Sequence, residues 1–503
     1  MIQALVTVLL WLGISGALPA WVLARRSPVV VFLAPLVGSV LAAVAVELEL
    51  VLDGPLLLWF ILVVVMVNAG ALWIQRIVER NQDPTVTGWS WTWSLLTVGV
   101  LIGTMVIPLS GLRSPMIGFD ANAIWLTHTL LVSSGHHTLI AGLQNFAYAP
   151  SNPDYPPLVP ASGGLALSLF GTGSLRVAIE VTALLNACAV GVVGVGIASI
   201  RGGGGRTATR SAALVVAAGL CLVGFALAGN YAVNGYADLL WSAAAVGAVV
   251  WGLVLPRSRQ ALAVAWACGM VASLTKNEGL VTSLIVLGLI SFRYVPVRMS
   301  WSDLHTESAW VDHLGRTAAT RWIRRTVYVV GPALPGLIWI GIVRHYKIAD
   351  AFFSDTTPES IGTRARATAD GMAAHLAVVP VAAVVLMTGY CLLRSDRQWA
   401  RIANPLWLWG AWVGALAGIA GTYVFGSLEI HWWLQTSVDR TTIFPAFVLY
   451  ADLAIWILVA VDGSLVGSRQ WTSVRTVTRR VGTDPDVRGD LEVSGTAPVI
   501  TGH

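Results

Sequence analysis

The sequence predicts an all-α polytopic membrane protein, and three observations carry that prediction. The chain is 56% hydrophobic and only 11% charged, with a mean hydropathy of +0.73, whereas soluble globular chains carry roughly 25% charged residues. Apolar runs long enough to cross a bilayer recur from end to end, and only helices or closed barrels can satisfy their backbone inside lipid. The arginines sit at the ends of those runs, where cytoplasmic loops concentrate positive charge. Nucleic acid is excluded as a partner, because no binding motif or basic face is present.

The runs place spans near residues 2–24, 28–50, 54–77, 92–111, 176–199, 210–229, 236–255, 260–274, 279–292, 326–343, 372–393, 403–426 and 441–461, about 13 in all. The start of the chain reads as a first span with a basic stop at Arg25 and Arg26 rather than as a cleaved signal. The stretch 157–171 is apolar but short. If it crossed, the cluster Arg201, Arg206 and Arg210 would fall outside. As a re-entrant or interfacial helix it leaves every basic cluster inside, with the N-terminus out and the C-terminus in. Segment 295–322 reads as an interfacial amphipathic helix. Cys188, Cys221, Cys268 and Cys391 lie in or beside apolar runs and read as packing residues. The organisation is a three-span extension (1–91), a transmembrane module (92–462) with outer loops 112–157 and 344–371, and a disordered cytoplasmic tail (463–503) rich in Gly, Ser, Thr, Asp and Arg.

On this topology the uncommon polar residues lie on the outer face. "GFDANAIWLTH" carries Asp120, which reads either as the cap of the helix that follows or as a general base at the membrane surface. "SNPDYPPLVP" uses Pro156 and Pro157 to rigidify the entry to a short helix and presents Asp154 and Tyr155. His136 and His137 form a pair that reads as a polar surface feature or as a phosphate or metal contact. Asp238, in "NGYADLLW", falls at the start of a span, where a carboxylate needs a polar cavity or a partner. "TKNEGL" packs Lys276 and Glu278 into a tight turn, as a satisfied pair or as a cation offered to phosphate. "EIHWWLQTSVDRTTIFP" adds His431 and Arg440 at the mouth of the last span. Arg364 and Arg366 lie in the long loop 344–371. Arginine on an outer face runs against the usual charge bias and asks for an anionic partner.

Taken together, "GFDANAIW", "DYPPL" opening a short helix that ends in "LFG", "GYADLLW", "TKNEGL" and "LQTSVDRTTIFP" resemble the polyprenyl-phosphate-dependent integral-membrane glycosyltransferases of the glycosyltransferase C superfamily, in a bacterial, actinobacterial-like branch. The resemblance covers roughly residues 92–460. It implies an inverting transferase of the plasma membrane that moves a sugar from a polyprenyl-phosphate donor to an extracytoplasmic glycan or lipid acceptor, with Asp120 as general base. Mannose or arabinose is the sugar the implied branch suggests. Lys276, Arg440, Arg364 and Arg366 would face the leaving phosphate. The first outer loop departs from members with an acidic pair, because no second acid adjoins Asp120. Asp154 or Asp238 would then serve, and participation of a divalent metal stays open, with no metal ligand or cofactor assigned. The competing readings are a lipid-linked sugar transporter or flippase, which would need polar residues at the bilayer midplane, and a glycan-polymer ligase, which would not need Asp120.

Overall fold

A computed structural model of the chain describes residues 1–24, 27–79, 89–113, 118–145, 147, 151–200, 207–295, 310–348, 360–376, 405–426, 428–458 and 461. It is 88% helix, with no strand among the described residues. In order these are α1 (Ile2–Ala24), α2 (Val29–Leu52), α3 (Leu56–Glu79), α4 (Trp91–Leu109), a π-helical turn (Ala121–Leu126) running into α5 (Thr127–Ser133), α6 (His136–Gln144), α7 (Leu158–Phe170), α8 (Leu175–Ala198), α9 (Thr207–Ala228), α10 (Asp238–Val254), α11 (Arg259–Thr275), α12 (Asn277–Tyr294), α13 (Trp310–His345), α14 (Ile361–Leu376), α15 (Pro405–Phe425) and α16 (Ile430–Leu458). Nine of them, among the described residues, are long and apolar enough to cross a membrane: α1 to α4, α8, α9, α13, α15 and α16. The protein is a multi-pass membrane protein.

The apolar faces sort into interior and periphery. Helices α2, α8 and α16 lie mostly inside the bundle, whereas α3 and α4 turn Met66, Trp73, Leu95 and Ile107 outward. Outward apolar side chains are what a lipid-facing helix carries. Close approach holds α1 on α2: a Cβ built on Gly38 would overlap the Leu12 carbonyl, and one on Gly16 would overlap that of Ala34. Small residues let membrane helices pack backbone to backbone. Residues 1–458 form one compact unit.

Hydrogen bonds define the two ends of the bundle. At one end, His136 Nδ1 lies 2.6 Å from the Glu49 carbonyl, the Tyr346 hydroxyl donates to Leu50 O, and Gln144 donates to Tyr346 O. At the other, Gln260 donates to Ala24 O, and Arg293 donates to Gly252 O and Leu255 O. Helix α7 has 13 residues, about 20 Å, which is short of a hydrocarbon core of about 30 Å. Both of its flanks reach the first end. Asp154 accepts from Trp339 through its backbone carbonyl, and Arg176, just past α7, donates to Leu112 O beyond α4.

Three expectations change against the structure. The last span, expected from residue 441, starts earlier: α16 is helical from Ile430, because both Glu429 carboxylate oxygens accept from the His431 and Trp432 backbone N–H groups and cap its start. From Trp310 onward, the expected interfacial helix 295–322 is instead the first part of α13, continuous with the span. The expected loop 344–371 gives way to α14 from Ile361. Residues 296–309, most of the expected span 372–393 and the tail 463–503 lie outside the described residues.

Arg364 explains how α14 is anchored. Its side chain is fully buried, and its guanidinium donates to the carbonyls of Tyr423 and Val424 at the end of α15 and of Leu428 just beyond it. The last carbonyls of a helix have no intrahelical donor, so one planar fork satisfies several of them. Arg364→Ala is expected to lower stability by about 2–4 kcal/mol, with Arg364→Lys recovering only part of the loss; thermal unfolding of the purified protein in detergent measures both.

Candidate functional site

The charged residues at the first end of the bundle form a ladder contributed by four separate parts of the chain. Asp238 opens α10 and its side chain is almost wholly buried. Lys276 is the extended single-residue link between α11 and α12, and its Nζ sits 2.9 Å from Asp238 Oδ1 and 3.3 Å from Glu278 Oε1. From α16, Arg440 places one guanidinium nitrogen 3.9 Å from Asp238 Oδ2 and the other 2.7 Å from Asp120 Oδ2. The order is Asp120, Arg440, Asp238, Lys276, Glu278. Asp120 is the most accessible member, with 29% of its side chain exposed against 1% for Asp238.

Local sequence explains each placement. Asp120 precedes the π-helical turn but makes no side-chain cap bond, so its carboxylate is directed to Arg440 instead of the helix start. The turn is seated through Leu126, which packs with Leu112, Ala178, Ile179 and Ala183. Pro157 precedes α7, and the lead-in it ends holds Tyr155 stacked on Trp125, with ring centroids 5.4 Å apart. Lys276 Nζ lies 5.5 Å from the centroid of the Tyr155 ring, within cation–π reach. Asp154 accepts from Asn277 Nδ2 at 2.6 Å and from Trp339 Nε1, through its backbone carbonyl, at 2.7 Å. The lead-in to α7 is thereby joined to both the Lys276 turn and α13.

Burial alone would lower the Lys276 ammonium, but the Asp238 and Glu278 carboxylates outweigh it and hold its pKa above the ordinary lysine value. Burial, reinforced by the Glu278 and Asp154 charges, pushes the Tyr155 phenol well up. Among the described residues no group of three or more His, Cys, Asp or Glu side chains is placed to hold a metal ion.

No protein-family model, no curated protein and no solved structure matches the chain.

Seven of the residues singled out by sequence lie together here: Asp120, Asp154, Tyr155, Asp238, Lys276, Glu278 and Arg440. The others lie apart from the ladder. His136 is bound to the Glu49 carbonyl and stands 3.8 Å from Asp53, with His137 edge-on to it. Arg364 is committed to α15 carbonyls, Arg366 is exposed on α14, and His431 is exposed in the first turn of α16. Sequence reading missed Trp125, Tyr231, Tyr236 and Asn277, and it offered Asp439 only as a partner for Arg440. The Tyr231 hydroxyl donates to Asp439 Oδ2 at 2.8 Å, and Arg440 Cζ lies 5.8 Å and 5.1 Å from the Tyr231 and Tyr236 ring centroids. For the missed residues, adjacency to marked ones in "GFDANAIW", "NYAVNGYAD" and "TKNEG" was the available signal.

Two predictions follow from this packing. Lys276→Met takes the ammonium from the buried Asp238 and the partly buried Glu278 and is expected to destabilise by about 3–5 kcal/mol, with Asp238→Asn added to it restoring part of the loss; thermal unfolding of the single and double variants measures the coupling. His128, on α5, is buried with Nε2 3.1 Å from the Ser151 hydroxyl, and burial lowers its pKa to about 4 from 6.5. Between those values the unfolded chain binds a proton that the native state refuses, so stability falls as pH drops from 6.5 toward 4, by about 3 kcal/mol in total. The melting temperature of wild type should decline over that window, and His128→Gln should flatten the decline.

Proposed function

We propose that the protein is an inverting membrane glycosyltransferase of the glycosyltransferase C type, transferring a sugar from a polyprenyl-phosphate donor to a glycan or lipid acceptor on the extracytoplasmic face of a bacterial plasma membrane. The observation that carries this reading is the Asp120 carboxylate, held by Arg440 at the accessible end of an otherwise buried ionic ladder. The proposal includes about 13 spans, the N-terminus outside, and α7 as a re-entrant helix that enters and leaves on the outer side. The contacts of both α7 flanks with one end of the bundle support that topology.

The chemistry suits the arrangement. The donor's polyprenyl tail stays in lipid while its phosphate and sugar lie at the interface, beside the ladder. An acceptor hydroxyl oxygen attacks the anomeric carbon from the face opposite the phosphate. Its proton passes to Asp120, the bond from the anomeric carbon to the phosphate oxygen breaks, and polyprenyl phosphate leaves. One displacement inverts the anomeric centre. Arg440, beside the accessible Asp120, would meet the negative charge that grows on the departing phosphate, and a fixed cation in a water-poor site acts strongly there, while Lys276 stays buried with Asp238. Arg364, bound to three backbone carbonyls, has no part in this step. Asp238 holds the two cations in place and supplies the second acid that the first outer loop lacks.

Purified protein given decaprenyl-phosphate mannose or decaprenyl-phosphate arabinose, with a glycolipid acceptor fraction, tests the reading. Wild type is expected to transfer from one of the two, and folded Asp120→Asn and Asp120→Ala are expected to lose about 10²–10⁴-fold. Full transfer by folded Asp120→Asn would remove the base assignment, and a wild type inert toward both donors would remove the donor class.

A further inference from the structure

Tyr236 touches both halves of the Asp120–Arg440 pair. It lies in the link between α9 and α10 and is 6% exposed. Its ring rests on Gly118: a Cβ there would stand 2.5 Å from Tyr236 Cε2 and 2.6 Å from the hydroxyl oxygen. Only glycine lets the segment before Asp120 lie against the ring this closely. The backbone N–H of Asp120 donates toward the same hydroxyl. On the other side Arg440 Cζ is 5.1 Å from the ring centroid, inside the range of about 6 Å in which a ring face attracts a cation. The ring is itself braced. Tyr231 meets it edge-on at 4.9 Å, and the Tyr231 hydroxyl is tied to Asp439, the neighbour of Arg440.

We infer that Tyr236 is the positioning residue that sets the Asp120 carboxylate against Arg440 for proton transfer. The inference rests on the reading of Asp120 as general base. Tyr236 meets neither donor nor acceptor; it fixes where the chain carrying the carboxylate lies and where the guanidinium that orients it lies. A misplacement of about 1 Å at a reacting group costs on the order of 10²-fold in rate. A residue bridging carboxylate and guanidinium therefore acts on kcat rather than on donor affinity.

Two variants separate the ring from the hydroxyl. Tyr236→Leu removes both, and Tyr236→Phe keeps the ring against Gly118 and Arg440. With the decaprenyl-phosphate sugar that wild type uses, folded Tyr236→Leu is expected to lose about 10²-fold in kcat while donor KM changes less than about threefold. Tyr236→Phe is expected to recover most of that, leaving kcat about three- to tenfold below wild type. A folded Tyr236→Leu with wild-type kcat overturns the inference, as does a loss confined to KM. Should Tyr236→Leu fail to fold, Tyr236→Phe decides: a kcat lowered about three- to tenfold supports the positioning role, and an unchanged kcat rejects it. Asp120→Asn in the same assay keeps the two ideas apart. An inactive Asp120→Asn beside a fully active Tyr236→Leu removes only the positioning role, whereas an active Asp120→Asn removes the base itself.

Discussion

The ion pair between Lys276 and Asp238, 2.9 Å long and almost entirely out of solvent, constrains everything around it. Either charge alone in such a place would be destabilising by several kcal/mol, so neither can be buried unless the other arrives with it. Asp238 opens α10 and Lys276 joins α11 to α12. Pairing them fixes the ends of three helices against one another. Arg440 extends the constraint to α16, and Asp120 extends it to the segment after α4. The apolar faces decide that the helices gather, because every lipid-competent helix offers much the same surface. The ladder decides which ends meet, since a slip of one helix by a turn would leave a buried charge without its partner.

The second constraint is aromatic. Tyr155 is stacked on Trp125 with Lys276 within cation–π reach of its ring, and Tyr236 lies between Gly118 and Arg440. Rings of this kind exclude water from the cations while meeting them with the electron-rich face, which strengthens the ion pairs they cover. They also join the lead-in to α7 to the Lys276 turn, a link reinforced by the Asn277–Asp154 hydrogen bond at 2.6 Å. The segments at this end of the bundle therefore close over the ladder as a packed surface. Asp120 keeps the most exposure of the five charged residues because it sits at the rim of that surface.

Much of this was legible in the chain, for a physical reason. A charge such as Asp238 or Lys276 inside a sequence of mean hydropathy +0.73 is costly enough to announce itself, and the all-helical multi-pass class follows from the same hydropathy. What one sequence could not show is pairing, because the energy of a buried charge says that a partner exists and not which residue it is. Arg364 illustrates the limit. Its position on an outer segment called for an anion, yet its partners are backbone carbonyls at the end of α15, which every residue possesses and no composition reveals. The start of α16 precedes the expected span because 430–440 carries His431, Gln435, Asp439 and Arg440, too polar for a run chosen by hydropathy; the cap from Glu429 starts the helix there. Tyr231 and Tyr236 escaped notice because a tyrosine near a span end is ordinary in its composition and distinctive only in what it touches.

The charge count along the ladder bears on how such a site would work. Three carboxylates and two cations share it, so the fully ionised ladder carries one negative charge in excess, and each cation is already engaged. A bare phosphate pocket would instead hold cations without internal partners. Under the proposed reaction, a donor phosphate must therefore compete for Arg440. Of its two carboxylate partners Asp120, at 2.7 Å, is the nearer, but it is also the one that water can reach, whereas Asp238, at 3.9 Å, is buried. As the phosphate took up one side of the guanidinium, the hold on Asp120 would loosen and its oxygen would become available to an acceptor proton. The same displacement would leave Asp238 and Lys276 untouched, so the buried part of the ladder would keep the helix ends in register while its rim exchanged partners. An ionic ladder graded from buried to accessible would thus separate the task of holding the bundle from the task of meeting a substrate, and only its last rung would have to move.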